Sequence, residues 1–178
     1  MRVLSRVLSG VLWFCMAAPA LAATSAPEPA KPVEAASFYA GRWYEIGRTP
    51  KSFNKDCVAG TTDFLTRDGG LYEQDGCRDK TPDGKEESIG GPVKILNAAA
   101  NKVDVAYRAL FGFVPIHVQN WVLDHGEGWA ILATPDMSEV HLYSREAHPD
   151  LALVERMTKQ IRALGYGGVL DFPAQARP

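Results

Sequence analysis

Eight short segments with the spacing of β-strands follow one another along most of this chain, and turn residues separate them. In the segment 103–108, Val103, Val105 and Tyr107 alternate with small or polar neighbours, the period-two pattern of a strand with one buried face. The Asp-Gly pair at 68–69 is a hairpin signal between two such segments. The segments begin at residues 42, 57, 71, 87, 103, 113, 128 and 140. Eight antiparallel strands in sequence can close without exposed edges, so we predict an all-β fold, an eight-stranded antiparallel up-and-down β-barrel.

One amphipathic helix is predicted after the last strand. Its apolar stripe at helical spacing consists of Leu151, Val154, Met157, Ile161 and Leu164. A proline precedes the stripe by two residues and suits a first helical turn, and a glycine directly after the stripe is a natural stop. We expect this C-terminal α-helix to pack on the barrel wall.

The first 22 residues have the composition of a secretory signal peptide. Two arginines precede an apolar run, and the stretch ends in Ala-Leu-Ala, as a cleavage site requires. The run is too short for a stable membrane span, with an uncleaved anchor as the alternative. Phe14 directly before Cys15 does not fit a lipoprotein signal, which wants small residues there. We predict a signal peptide at 1–22, a Pro/Ala-rich linker at 23–37, a barrel domain at 38–178, and a soluble, exported, periplasmic protein.

Charge and cysteine content narrow the possible partners. The formal net charge is −2 and there is no Arg-rich run, so we expect no nucleic-acid partner, and no motif indicates a cofactor.

Removal of the predicted signal peptide leaves Cys57 and Cys77, and an even number of cysteines in an exported protein indicates a disulfide. A symmetric turn at 68–69 would put Cys57 opposite Lys80, so a β-bulge or a longer turn is needed to pair it with Cys77.

Three short motifs resemble those of the lipocalin family. Gly41-Arg42-Trp43 at the start of the first strand is similar to the Gly-x-Trp signature. The sequence NWVLD, residues 120–124, resembles the second motif, at the turn between the sixth and seventh strands. The sequence LYSR, residues 142–145, resembles the third, whose arginine closes the eighth strand. The resemblance extends from about residue 38 to 172 and is closest to the bacterial and apolipoprotein D-like branch.

The resemblance implies structural roles for three motif residues. In the family pattern Trp43 plugs one end of the barrel, and Arg145 lies over its ring in a cation–π contact of about 0.5–2 kcal/mol. Gly41 would leave room for close backbone approach. We therefore expect Gly41, Trp43 and Arg145 to stabilise the fold, not to bind a ligand.

The resemblance also implies a function. The family binds small hydrophobic molecules, and this branch favours fatty acids or phospholipids, so we predict an exported protein that carries or stores such a ligand, with no catalytic role. The matching pocket positions are Asp63, Asp75, Tyr107, Asn120 and His141, and Tyr143 is added because it has the same strand parity as His141. Their polarity indicates either a wet cavity or solvent-facing side chains, because a register slip of one residue inverts every facing. The apolar stretch 109–118 is expected to cover the turn between strands five and six, and either packs there or touches a membrane transiently. The oligomeric state stays open.

Two other functions use the same barrel. Asp63 and His141 could form an acid–base pair of a small enzyme if both face inward, although the chain has neither G-x-S-x-G nor H-E-x-x-H. Alternatively, His141 could be the axial ligand of a haem, or the barrel could hold another pigment.

Overall fold

The computed structural model describes residues 25–52, 55–109 and 114–175, so the predicted signal peptide at 1–22 and residues 110–113 of the apolar stretch lie outside the described residues. In chain order the elements are α1 (Ala35–Phe38), β1 (Gly41–Arg48), β2 (Cys57–Arg67), β3 (Gly70–Asp79), β4 (Glu86–Ile95), β5 (Lys102–Ala109), β6 (Val114–Gly126), β7 (Trp129–Ala133), β8 (Val140–Ser144) and α2 (Leu151–Ala163).

Each strand pairs with the next, and β8 pairs antiparallel with β1, so the sheet is a closed up-and-down barrel. The predicted fold class is confirmed. The NWVLD motif lies within β6, and not in the turn, which consists of Glu127 and Gly128. Within the described residues, the helices are too short or too polar to cross a membrane.

Alternation along the strands gives the barrel wall two apolar faces. On the outer face, Met157 and Ile161 of α2 are fully buried against Ile131 and Leu142. The predicted helix and its buried stripe are therefore present, although Leu151 at the start of the stripe is exposed. On the inner face, a second buried cluster fills the end of the barrel where β1 begins, with Trp43, Phe64, Val103, Val105, Val122 and Leu132 among its members. We call the space enclosed by this inner face the lumen.

The stretch predicted to be a linker is packed against the barrel from Ser25 onward. Val33 is buried in the inner cluster, the amide of Asn101 donates to the carbonyl of Lys31 at 2.9 Å, and Lys31 pairs with Asp124 at 2.5 Å. An extended tether does not describe residues 25–37, because Ala26 is buried in the outer cluster, Val33 is buried in the inner cluster, and Lys31 pairs with Asp124.

A C-terminal segment completes the wall where β1 and β2 diverge. The ladder between these strands covers only Gly41 to Tyr44. Beyond it, Arg48 exchanges two backbone hydrogen bonds with Asp171, at 2.9 and 2.8 Å, and the amide of Ala59 donates to the carbonyl of Ala174 at 2.6 Å. Residues 171–174 thus satisfy backbone groups that the divergence would leave unpaired.

The hairpin of β2 and β3 contains the bulge that the cysteine spacing requires. Its register shifts between Val58 and Thr61, so Cys57 lies opposite Asp79, one position nearer to Cys77 than a symmetric hairpin allows. The two Cα atoms are 5.4 Å apart and the disulfide is formed. The predicted disulfide is confirmed.

Candidate ligand-binding site

The lumen is closed at one end by Trp43. Its indole Nε1 donates to the carbonyl of Phe38 at 3.0 Å, and the guanidinium of Arg145 lies 3.7 Å from the ring centroid. Arg145 also donates to four backbone carbonyls, those of Ser37, Phe38, Ala40 and Arg42. Arg145 thus ties the segment before β1 to the end of β8.

Gly41 has a different role from the close approach expected for it. Its φ is +64°, in the left-handed region that glycine adopts without strain, and a Cβ there would come no nearer than 3.9 Å to another group. The glycine is required because the chain turns there as it enters β1.

Above the apolar floor, polar side chains from five strands face the lumen. We call them the polar layer: Glu45, Thr62, Glu73, Asp75, Tyr107, His141 and Tyr143. The hydroxyl of Thr62 donates to Asp75 Oδ1 at 2.6 Å, and the hydroxyl of Tyr107 lies 2.6 Å from both Asp75 Oδ2 and Glu73 Oε1. The polar layer thus contains two carboxyl groups joined through one tyrosine.

The two short contacts of the Tyr107 hydroxyl require that one of the two carboxyl groups carries a proton. A phenol has one hydrogen, so it can donate to one carboxylate only, and the second short contact requires a protonated carboxyl. Burial and the neighbouring Asp75 raise the pKa of Glu73 to about 8. Burial raises the pKa of Asp75 as well, while Thr62 and Tyr107 oppose that change by hydrogen bonding. At neutral pH the pair of Glu73 and Asp75 therefore holds one proton: the protonated carboxyl donates to Tyr107, and Tyr107 donates to the ionised one.

The other half of the polar layer is an ion-paired group on β1 and β8. Glu45 Oε1 accepts from His141 Nδ1 at 2.7 Å, and Glu45 Oε2 accepts from the buried Arg48 at 3.0 Å. Although burial opposes both changes, this pairing lowers the pKa of Glu45 and raises that of His141. Glu45 is therefore an ionised carboxylate whose charge is balanced within the wall.

Tyr143 connects the two halves. Its hydroxyl lies 3.0 Å from Thr62 Oγ1, and its ring stacks on His141 with centroids 5.8 Å apart. Since Thr62 uses its hydrogen on Asp75, Tyr143 is the donor to Thr62. Burial raises the pKa of Tyr143 well above its usual value, so it stays a neutral donor.

Four of the six residues predicted to line the pocket meet in the polar layer: Asp75, Tyr107, His141 and Tyr143. Asn120 also lies on the lumen side, because its ladder partner Val103 belongs to the inner cluster. It is 8% exposed, and its Oδ1 accepts no hydrogen bond from any of the described residues.

Asp63 is placed on the opposite face of the wall. Its carboxylate makes a two-point ion pair with Arg42, at 2.9 and 2.7 Å, on the outside of the barrel. The ladder pairs Thr62, not Asp63, with Asp75, and paired residues share a face. The lumen position therefore belongs to Thr62, and the acid–base pair of Asp63 and His141 is not assembled.

Sequence reasoning missed four lumen or wall residues: Glu45, Arg48, Thr62 and Glu73. For two of them, the alternation of inward and outward side chains along a strand indicated an inward position. Glu73 stands two residues before Asp75, and Glu45 stands two after Trp43, so each shares the face of a residue already assigned to the interior.

The open end of the lumen is apolar. Ile116 lies opposite Tyr107 in the ladder of β5 and β6, on the lumen side, and is 50% exposed. Val114, two residues earlier, shares that face, and Ile89 lies opposite Asp75 on β4. We call these three exposed side chains, which border the polar layer, the apolar rim. Among residues 25–52, 55–109 and 114–175, no three His, Cys, Asp or Glu side chains are grouped to hold a metal ion.

Comparisons with known proteins agree on the fold. The family model of the lipocalin-like domain matches residues 34–174. Insecticyanin from the tobacco hornworm Manduca sexta is 17% identical, with a TM-score of 0.65 over 87% of this chain and 88% of that one. Per a 4, a major allergen from cockroaches, is 15% identical, with a TM-score of 0.63 over 86% and 96%. Lobster apocrustacyanin A1 is 14% identical, with a TM-score of 0.58 over 86% and 92%.

No curated protein sequence matches the chain. At such low identity the solved structures show a shared fold only. The family model, in contrast, covers most of the chain, including β1 with Trp43 and the last strand before Arg145. The chain therefore belongs to the lipocalin family.

Proposed function

We propose that this lipocalin is exported and carries or stores a single-chain lipid, such as a fatty acid or a lysophospholipid, in its lumen. The observation that carries the proposal is that the lumen face combines apolar and polar side chains. An apolar floor ends at Trp43, and the polar layer beyond it is bordered by the exposed side chains of Ile89, Val114 and Ile116. This combination suits an amphipathic molecule with both a chain and a polar group.

Apolar burial supplies the affinity in this proposal. Each square ångström of apolar surface removed from water contributes roughly 25 cal/mol before the entropic costs of binding are subtracted. The hydroxyls of Tyr107 and Tyr143 and the ring of His141 then orient the polar group, as a few fixed polar groups do in most ligand pockets.

Export and membrane contact are supported by two further features. The disulfide between Cys57 and Cys77 is typical of proteins that fold in an oxidising compartment, which for this chain we take to be the periplasm. The exposed Val114 and Ile116 at the rim are available to touch a membrane surface when a lipid enters or leaves.

The proposal is tested first by the lipid that the protein holds. The mature protein is purified from its exported compartment, weighed by native mass spectrometry and extracted with organic solvent. We expect one bound single-chain lipid per protein. An empty protein would count against carriage if, in addition, it failed to enhance the fluorescence of the uncharged probe N-phenyl-1-naphthylamine.

A rim variant then locates the binding site. Ile116→Ser should weaken binding of the probe about fivefold, because half of this side chain is still available for burial by a ligand. Leu65→Ser is the matched control, since Leu65 is 37% exposed but lies on the outer face of β2, next to the inward-facing Phe64. Equal effects of the two substitutions would place the probe outside the lumen.

A further inference from the structure

We propose that the lumen selects a single-chain amphiphile with an ammonium head group, which is held between the carboxyl groups of Glu73 and Asp75. The inference rests on the proposed function and narrows it, because among single-chain lipids it favours one with a cationic head group over a fatty acid.

The carboxyl groups of Glu73 and Asp75 have no cation in direct contact. The two cations that face the polar layer, Arg48 and His141, are both bound to Glu45, and the charge of His141 acts on Asp75 only from beyond ion-pair distance. In the described part of the chain, neither Glu73 nor Asp75 has a Lys, Arg or His nitrogen within ion-pair distance; their partners are the hydroxyls of Thr62 and Tyr107. A cationic ligand group would therefore be the first to contact this pair directly.

Without a cation in contact, the pair of carboxyl groups holds a proton. One of the two must carry a hydrogen, as the two 2.6 Å contacts of the Tyr107 hydroxyl require. A ligand with a positive charge could replace that proton and leave both carboxylates ionised. A neutral head group could not replace it, and a carboxylate head group would add a further negative charge beside Asp75.

A separate acceptor in the lumen points to the same kind of ligand. Asn120 Oδ1 is buried on the lumen side of β6, and no described residue donates to it. A buried acceptor without a donor costs free energy, and a ligand rich in N–H groups removes that cost. Asn120 Oδ1 and the carboxyl oxygens of Glu73 and Asp75 would thus be satisfied by a ligand that donates hydrogen bonds and carries a positive charge. An alkylammonium has three N–H donors and one positive charge.

Other titratable groups face the pair and set the pH range of the effect. They are Tyr107 from β5, Tyr143 and His141 from β8, Glu45 from β1, and Tyr39 from the segment before β1. Burial raises the pKa values of all three tyrosines, so they stay neutral up to pH 9. Between pH 6 and 9, the proton exchanged on binding therefore comes from the pair of Glu73 and Asp75 or from His141, which variants can separate.

The test compares three probes of equal chain length, decylammonium, decanol and decanoate, by titration calorimetry at pH 7 with lipid-free protein. We expect decylammonium to bind roughly 10- to 100-fold more tightly than decanol, as a charge-assisted hydrogen bond would give. Decanoate should bind most weakly. Repeating the titration in phosphate and in Tris, which differ in ionisation enthalpy, should show release of about one proton with decylammonium only.

Variants assign the preference to the pair. Glu73→Gln and Asp75→Asn should each remove most of the preference for decylammonium over decanol. Asp63→Asn is the matched control, since Asp63 lies on the same hairpin but faces outward to Arg42, and it should keep the preference. Thermal unfolding of each variant shows that it is folded.

The outcomes separate the two proposals. If decanol binds but decylammonium has no advantage, or if the advantage survives in both variants, the head-group inference is overturned and lipid carriage stands. If decanoate binds most tightly, the inference is also overturned. If none of the three probes binds, lipid carriage itself fails and the inference fails with it.

Discussion

Replacement of Glu73 by glutamine should make the protein more stable in alkaline solution than the wild type. The Glu73 side chain is buried, and its pKa of about 8 replaces an ordinary value of 4.5. Between these two pH values the folded state holds a proton that the unfolded state has lost. The free energy of unfolding therefore decreases as pH rises through this range, which is the opposite of the usual behaviour of a salt-bridged carboxylate.

The magnitude follows from the difference between the two pKa values. Each pKa unit of difference corresponds to about 1.36 kcal/mol, so the loss of stability across this pH range is on the order of a few kcal/mol, part of which belongs to the neighbouring Asp75. Glu73→Gln is close in shape, keeps a donor toward Tyr107 and cannot ionise. We therefore expect little difference from the wild type at pH 5 and a gain of several kcal/mol at pH 8.5.

Urea denaturation followed by tryptophan fluorescence at several pH values from 5 to 9 measures this difference. Asp63→Asn serves as the control, because an exposed ion pair with Arg42 contributes at most about 1 kcal/mol. Parallel stability curves for the wild type and Glu73→Gln from pH 5 to 9 would refute the assignment of a bound proton to Glu73.

Two further predictions concern the groups that hold the barrel together. Arg145→Ala should lower the free energy of unfolding by about 2–4 kcal/mol, since it removes the contact with Trp43 and four hydrogen bonds to carbonyls. Arg156→Ala, whose guanidinium is 5.2 Å from the Trp129 ring, is the control in the same urea assay and should cost less than about 1 kcal/mol; equal losses would contradict a specific role for Arg145. Reduction of the disulfide, which spans 20 residues, should cost about 3 kcal/mol by loop entropy, and an unchanged melting temperature in dithiothreitol would refute this.

The architecture could be predicted from the sequence because each of its determinants is local. Alternation in the strand segments, the Asp-Gly turn at 68–69 and the helical stripe from Leu151 to Leu164 each act over a few residues. The bulge near Cys57 was also predictable, since it follows from the count of residues between that turn and the two cysteines. The packing of residues 25–37 was not, because no local period indicates a proline-rich segment that binds to distant carbonyls and side chains.

The facing of Asp63 could have been predicted from the same turn. A two-residue turn at 68–69 pairs Thr62 with Asp75, so Asp63 and Asp75 must point to opposite faces of the wall. The family resemblance, which placed both residues in the pocket, conflicts with the pairing that this turn sets. The contact of Tyr107 with Glu73 and Asp75 could not be predicted in this way, because β4 separates β5 from β3 in the sheet. It depends on the tilt and stagger with which the strands close, which no single strand specifies.

The polar layer is difficult to explain as a device for stability. Two carboxyl groups buried without a cation are costly, and apolar side chains of similar volume would be expected to make the barrel more stable. The destabilisation is confined to Glu73 and Asp75, because the third carboxyl group of the polar layer, that of Glu45, is ion-paired with Arg48 and His141. Departures from good local design in an otherwise consistent fold are concentrated at functional sites. The carboxyl pair lies beyond the apolar floor and next to the exposed Ile89 and Ile116, where a ligand that enters the lumen would meet it. This position is what a binding protein requires if the ligand supplies the missing cation.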